Sequence, residues 1–301
     1  MPVDVNLLVP HRRAVDDNRR WADFNNRHGD IFVCTPPKCG TTWVQTIVAS
    51  LMWPEGDQPE TVGQLSPWIE ANFIPVDVMH AQLSAQPHRR FMKTHTPAEG
   101  IPWFDDASYI FVARDGRDAF MSMCNHMERM SKEVKAELNA RVQDEEGIAL
   151  LPDWEGNYHV AYKSWLEGNG HIQHVASFWE RRKQQNVLLV HYNDLKSDLP
   201  GEMRRIAAFL NIDVPETLWP QTVERCTFEA MRNDTSRLGN FDIFKDGIKG
   251  FIFKGTNGRW RDILNAEEVD EYDAKLKSEM SHDAAAWSVN GRSALTGAAN
   301  A

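Results

Sequence analysis

Cysteine is scarce. Only Cys34, Cys39, Cys124 and Cys226 occur in 301 residues, with no CxxC pair and no metal-ligand spacing. That scarcity excludes a disulfide framework and fits free thiols in a reducing compartment. Long apolar runs are missing too: no stretch approaches the roughly 20 apolar residues that span a bilayer. The start, MPVDVNLLVPHRR, lacks the apolar core of a secretory leader. A cytoplasmic protein without membrane insertion is expected. Positive charge is in deficit, with a net charge of -10, so a polyanion such as nucleic acid or an anionic membrane is repelled at long range. A local basic pocket remains compatible with that balance. The chain has no internal repeat and no Pro- or Ser-rich linker. Tyrosine is short, five against eleven tryptophans, and indole serves cores and pocket walls alike.

What is present suits one large core: 301 residues, 42% of them hydrophobic, are expected to form a single domain over 1–301. Four short apolar runs, Ile31–Cys34, Arg90–Lys93, Tyr109–Ala113 and Val187–His191, read as buried parallel strands. Between them, Thr41–Met52 carries Val44, Ile47, Val48 and Leu51 at helical spacing, and His171–Gln185 carries Ile172, Val175, Phe178 and Trp179. The alternation predicts an α/β fold with a central parallel β-sheet flanked by helices on both faces. The charged segment 127–156 is expected to be a solvated helix, with a lid beside the site as the other reading. The polar tail from about 289 is expected to fray.

The strongest local signal is DIFVCTPPKCGTTW, residues 30–43. A strand meets a turn forced by Pro36 and Pro37, and then Lys38, Cys39, Gly40, Thr41, Thr42 and Trp43 open a helix. Free backbone N–H groups and the positive end of a helix gather there around an anion, joined by a lysine and two hydroxyls. The pattern is not GxxxxGK[ST], because the lysine precedes the glycine. An ordinary strand–helix turn explains proline and glycine, but not lysine and two threonines as well.

This segment resembles the 5′-phosphosulfate loop of the cytosolic sulfotransferase family, a P-loop-type fold, usually written Tyr-Pro-Lys-Ser-Gly-Thr-Thr-Trp. Pro36 stands where the family often has Tyr, and Cys39 where it commonly has Ser. The resemblance implies 3′-phosphoadenosine-5′-phosphosulfate (PAPS) as donor and PAP as product. It implies that Lys38 approaches the bridging oxygen, that Thr41 and Thr42 hold the 5′-phosphate, and that Trp43 packs on adenine.

FMKTHTP, residues 91–97, presents Lys93 and His95 on one side of an extended segment, since side-chain direction there has a period of two. A lone histidine at a strand end is more often structural. The segment resembles the family's Lys-Thr-His-x-Pro, which implies that His95 is the general base. An alcohol attacking sulfur must lose its proton, and imidazole, with an ordinary pKa of about 6.5, can take it at neutral pH. A sulfuryl group carries less negative charge than a terminal phosphoryl, so Lys38 and Lys93 can replace a magnesium ion, and no metal is expected.

YIFVARDGRDAFMSMCNH, residues 109–126, puts Arg114 at a strand end and Ser122 in the following helix. An arginine fork and a hydroxyl suit a phosphate, although a surface ion pair of Arg114 with Asp115 or Asp118 fits equally well. The segment resembles the family's 3′-phosphate site, with Arg117 as a weaker candidate. NVLLVHYNDLKSD implies that Tyr192 lies near the nucleotide. CTFEAMRND implies that Phe228 and Met231 enclose adenine, with Thr227 adding a hydroxyl. FIFKGTNGRWRD resembles the C-terminal loop over the 3′-phosphate, with Lys254, Gly255, Gly258 and Trp260 matching. Phe253 replaces the family's arginine, for which Arg259 or Arg261 would compensate. The matches run in order from residue 30 to about 265, so that stretch is the expected catalytic core.

Two rivals share parts of this pattern. A P-loop kinase would need an acid for Mg²⁺ at a strand end, where this chain has Arg114. A non-catalytic nucleotide-binding protein would not need both Lys38 and His95. The acceptor is expected to be a small apolar alcohol or phenol, with Trp68, Phe73, Trp103, Phe104 and Trp154 as candidate walls. The family's dimer segment is not visible after Trp260, where RDILNAEEVDEY stands, so oligomeric state is left open.

Overall fold

The structure, a computed structural model, describes residues 3–295. Its main sheet has four parallel strands, β1 (Ile31–Cys34), β2 (Phe91–Thr94), β3 (Ser108–Ala113) and β4 (Val187–His191), in the order β2-β1-β3-β4. Parallel neighbours need crossover connections, and these carry the helices to both faces. The helices include α1 (Thr41–Met52), α2 (Gly116–Arg129), α3 (Gly170–Trp179), α4 (Leu199–Leu210), α5 (Ala266–Glu279) and α6 (His282–Asn290).

The period of two sorts each strand between two cores. Ile31 and Val33 of β1 pack with α1 and α4, through residues such as Ile47, Val48, Met203 and Ile206. Phe32 and Cys34 pack on the opposite face with Val175, Phe178 and Trp287 of α3 and α6. A third cluster joins Phe120 of α2 to Tyr162, Trp260 and Tyr272. Among the described residues no helix is long and apolar enough to cross a membrane.

The bounds of β1, β4 and α1 coincide with the sequence reading, and β3 begins one residue earlier, at Ser108. β2 begins one residue later than expected. Arg90 lies before it, and its guanidinium is committed to a buried ion pair with Asp30, Nε donating at 2.8 Å, and to the Asn25 carbonyl. α3 is shorter than the expected 171–185 and stops at Trp179. Beyond it the sequence has no apolar face to bury, and Arg181 and Arg182 lie over the Trp103 and Trp179 rings.

Two further expectations are corrected. Segment 127–156 is not a solvated helix: α2 ends at Arg129, Met130 turns extended, and Ser131 caps a separate helix, Lys132–Ala140. Asn139 and Leu151 exchange two hydrogen bonds that fold the following loop back, bringing Leu138 and Leu151 to the cavity described below. The start of the tail does not fray. Asn193 donates to the Val289 carbonyl at 3.1 Å, and Arg292 pairs with Glu202 and takes its backbone N–H to Asp194. Residues 296–301 of the expected tail lie outside the described residues.

The Arg90–Asp30 pair locks the start of β2 against that of β1, with both side chains almost fully buried. Arg90→Ala leaves a buried carboxylate without its partner and is expected to cost about 3–5 kcal/mol. Urea unfolding measures it; a loss below about 1 kcal/mol would show that the pair does not hold this edge.

Candidate active site

The carboxyl ends of the four strands open on one cavity of about 820 Å³, within the range of ligand sites. Ligands of open parallel sheets bind outside the carboxyl ends where the strand order reverses, here between β1 and β3, whose following loops part to opposite sides. After β1 the chain turns through Pro36 and Pro37, Lys38 takes a left-handed φ of 71°, and Gly40 takes φ 104° immediately before α1. Left-handed backbone beside a helix start turns successive N–H groups toward one point. Gly40 has a second constraint: a Cβ there would stand 3.0 Å from the Tyr192 ring.

Of the residues expected to act on or hold the donor, all line this cavity except Cys39, the weaker candidate Arg117 and the compensating candidate Arg261. The Cys39 side chain is fully buried, its sulfur 3.9 Å from the Pro37 carbonyl, so only its backbone remains available. Thr41 Oγ1 is 2.6 Å from Thr35 Oγ1. The Trp43 indole donates to the Cys226 carbonyl at 2.8 Å and meets Tyr192 edge to face. Thr227 caps the helix Phe228–Asn233, accepting from the Ala230 N–H. Gly255 sits at φ 61° with its hypothetical Cβ 2.5 Å from the Phe228 ring, which keeps that turn and that ring in contact.

Lys38, Lys93 and Arg114 bring three cations to the cavity wall, and none forms an ion pair among the described residues. Arg114 donates through Nε and Nη2 to Asn257 Oδ1 at 3.1 and 2.7 Å and lies over the Tyr192 ring at 4.2 Å. The surface ion pair of Arg114 is not formed. Arg117 takes Asp115 instead, at 2.9 Å, and is held between Trp260 and Tyr272 away from the cavity. Burial, with Arg114 and Lys93 nearby, draws the Lys38 ammonium down to about 7. Burial draws Lys93 to about 8, against the pull of Glu70.

His95 Nδ1 lies 2.8 Å from the Thr35 carbonyl oxygen, which can only accept, so Nδ1 carries the proton and Nε2 is the bare nitrogen. Its edge meets the Trp68 ring. Burial and then the Lys93 charge hold the imidazole well below its ordinary pKa, while the Thr35 bond opposes them. Neutral His95 is therefore the resting form at neutral pH.

Phe253 is ringed by cations, with Arg129 at 4.3 Å, Lys254 at 5.2 Å and Arg259 at 5.7 Å from its centroid. Arg259 lines the cavity; Arg261 does not and stacks on Trp260. Of the proposed apolar walls, Trp68 and Phe73 line the cavity. Trp103 instead packs on Tyr109, Phe104 on Phe32, and Trp154 on Tyr158. The sequence reading missed the Arg13–Val15 strap, Asn257, the Phe244 and Phe251 wall, and His126. Asn257, Phe251 and His126 lie inside matched segments, Asn257 in the KGTNG loop, whereas Phe244 and the Arg13–Val15 strap had no local signal. No three His, Cys, Asp or Glu side chains among the described residues gather as a metal site.

A model of the sulfotransferase domain matches residues 28–283. A glycolipid sulfotransferase of Mycobacterium bovis is 31% identical, over 94% of this chain and 95% of that protein. Human sulfotransferase 1C2 is 27% identical, over 92% and 91%. Among solved structures, a mouse sulfotransferase complexed with PAP superposes with a TM-score of 0.67 at 22% identity, covering 91% of each chain. The chain belongs to the sulfotransferase domain family, and sulfuryl transfer is its activity.

Three cations without a carboxylate partner call for an anion. Inorganic pyrophosphate is expected to raise the melting temperature by a few degrees at saturation, since a ligand at 100 times its Kd adds about 2.7 kcal/mol. Arg114→Ala should reduce that rise, and an unchanged melting temperature in the parent protein would remove the anion cradle.

Proposed function

We propose that this enzyme takes the sulfuryl group of PAPS and passes it to a hydroxyl of a largely apolar acceptor, with His95 as the general base. The observation that carries the reading is the pairing of an uncompensated cationic loop with a neutral imidazole whose bare Nε2 is fixed by Thr35. Lys38, Thr41, Thr42 and the amides of Cys39 and Gly40 take the 5′-phosphosulfate. Trp43, Phe228 and Met231 enclose adenine, and Tyr192 and Thr227 complete that wall. Arg114, Ser122, Lys254 and Gly255 take the 3′-phosphate, and Arg259 supplies the charge that Phe253 lacks. The described core is read as one catalytic domain, and its four buried free thiols fit a cytoplasmic setting.

In this reading the acceptor oxygen bonds to sulfur as the bond between sulfur and the 5′-phosphate oxygen breaks, and the hydroxyl proton passes to His95 Nε2. Lys38 and Lys93 offset the charge that grows on the leaving phosphate, and preorganised donors of this kind often supply most of an enzyme's rate enhancement. Apolar walls support the acceptor class. The mycobacterial relative is named for glycolipids, and a solved retinol dehydratase of the same fold holds androsterone. Against the kinase reading, Arg114 stands where a magnesium-binding acid would be needed, and transfer is proposed to need no metal.

His95→Ala is expected to lower transfer from labelled PAPS by about 10²- to 10⁴-fold, in excess EDTA as without it, while PAP still binds. Near-normal turnover would remove the base; collapse in EDTA would favour the kinase. Donor affinity should also depend on pH. Lys38 and Lys93 are charged below about 7 and about 8 and lose charge above those values, so PAP affinity should be level below pH 7 and fall through pH 7–8. Calorimetry from pH 6 to 9 checks this, and a flat profile would exclude these lysines from the donor site.

A further inference from the structure

The reaction chamber contains a second imidazole. His126, in the last turn of α2, lies against the Phe244 ring at 4.8 Å and the Phe251 ring at 6.0 Å, and its Nδ1 is 3.2 Å from Lys38 Nζ. Lys38 is held there from the other side as well, 4.4 Å above the Phe251 ring. An ammonium has donors only, so when Lys38 is charged beside a bound anion, His126 Nδ1 must accept and Nε2 must carry the proton. No described protein group accepts from that N–H, and the surrounding wall of Phe244, Phe251, Met127 and Met130 offers none. His126 thus adds a hydrogen-bond donor in an apolar stretch of the chamber wall, directly beside Lys38.

We infer that His126 is a specificity residue that selects acceptors carrying a second oxygen beside the hydroxyl to be sulfated, as in a vicinal diol, a sugar or a catechol. This rests on the donor and base assignment above, because that assignment makes Lys38 the neighbour of the reacting atoms. An isolated hydroxyl leaves the Nε2–H without a partner when the apolar chamber closes on it. A neighbouring oxygen accepts from it. Sites built to hydrogen-bond a substrate oxygen discriminate strongly against analogues without it, whereas apolar walls discriminate weakly. The aromatic and thioether walls then hold the rest of the acceptor without regard to its shape.

The test compares matched acceptors, an alkylcatechol with the corresponding alkylphenol and a long-chain vicinal diol with its mono-ol. In the parent enzyme kcat/KM should favour the two-oxygen member by about tenfold or more. His126→Phe should bring the ratio close to one, and His126→Gln, which keeps an N–H donor, should restore part of it. A parent ratio near one, or an equal loss for both members in His126→Phe, would overturn the assignment. Equilibrium binding of each pair to the protein with PAP, followed by tryptophan fluorescence, reads the preference without turnover. If no acceptor gains sulfate, the proposed reaction fails, while this inference still stands or falls on whether the two affinities differ in the parent protein.

Discussion

Lys38, Lys93 and Arg114 share one cavity with no carboxylate among the described residues paired to any of them, and the arrangement of the carboxyl ends of the sheet follows from tolerating that charge. Burial draws both Lys38 and Lys93 well below an ordinary lysine, and for Lys38 the neighbouring Arg114 and Lys93 charges add to it. Neutral partners do the holding. Asn257 and the Tyr192 face hold Arg114, and His126 and the Phe251 face hold Lys38. A carboxylate in any of those places would satisfy the cation and remove its need for an anionic ligand.

The same charge sets the state of His95. Its imidazole is kept neutral by burial and by Lys93, while the Thr35 carbonyl decides which nitrogen is bare. Thr35 also reaches Thr41 through its hydroxyl, so one residue at the end of β1 links the base on the β2 side to the threonine that opens α1. Parallel pairing makes this possible. Cys34 stands opposite Thr94 in the register, so the residues that follow the two strands emerge side by side.

Much of this was legible in the residues, for identifiable reasons. β1, β4 and α1 are short runs buried on a face or faces that their own side-chain period declares, and the phosphate loop concentrates lysine, glycine and threonine in one place. The failures also have causes. Arg90 looks like strand until its guanidinium is seen paired with Asp30. Trp103, Phe104 and Trp154 are as apolar as Trp68 and Phe73, and nothing local separates a wall from a core. His126 closes the matched segment 109–126, but nothing local marks its ring as facing the chamber, and its distance to Lys38 reveals it.

By itself the sequence determined the order of strands and helices, the family, and which residues could carry charge or take a proton, because these depend on side-chain chemistry and on spacing along a few residues. Tertiary structure alone decided that the cations lack acidic partners, which nitrogen of His95 is bare, that Arg117 turns away while Arg259 faces inward, and that segment 127–156 walls the cavity. Each of those depends on contacts between residues far apart in the chain, and such contacts exist only once the two faces of the sheet have been covered.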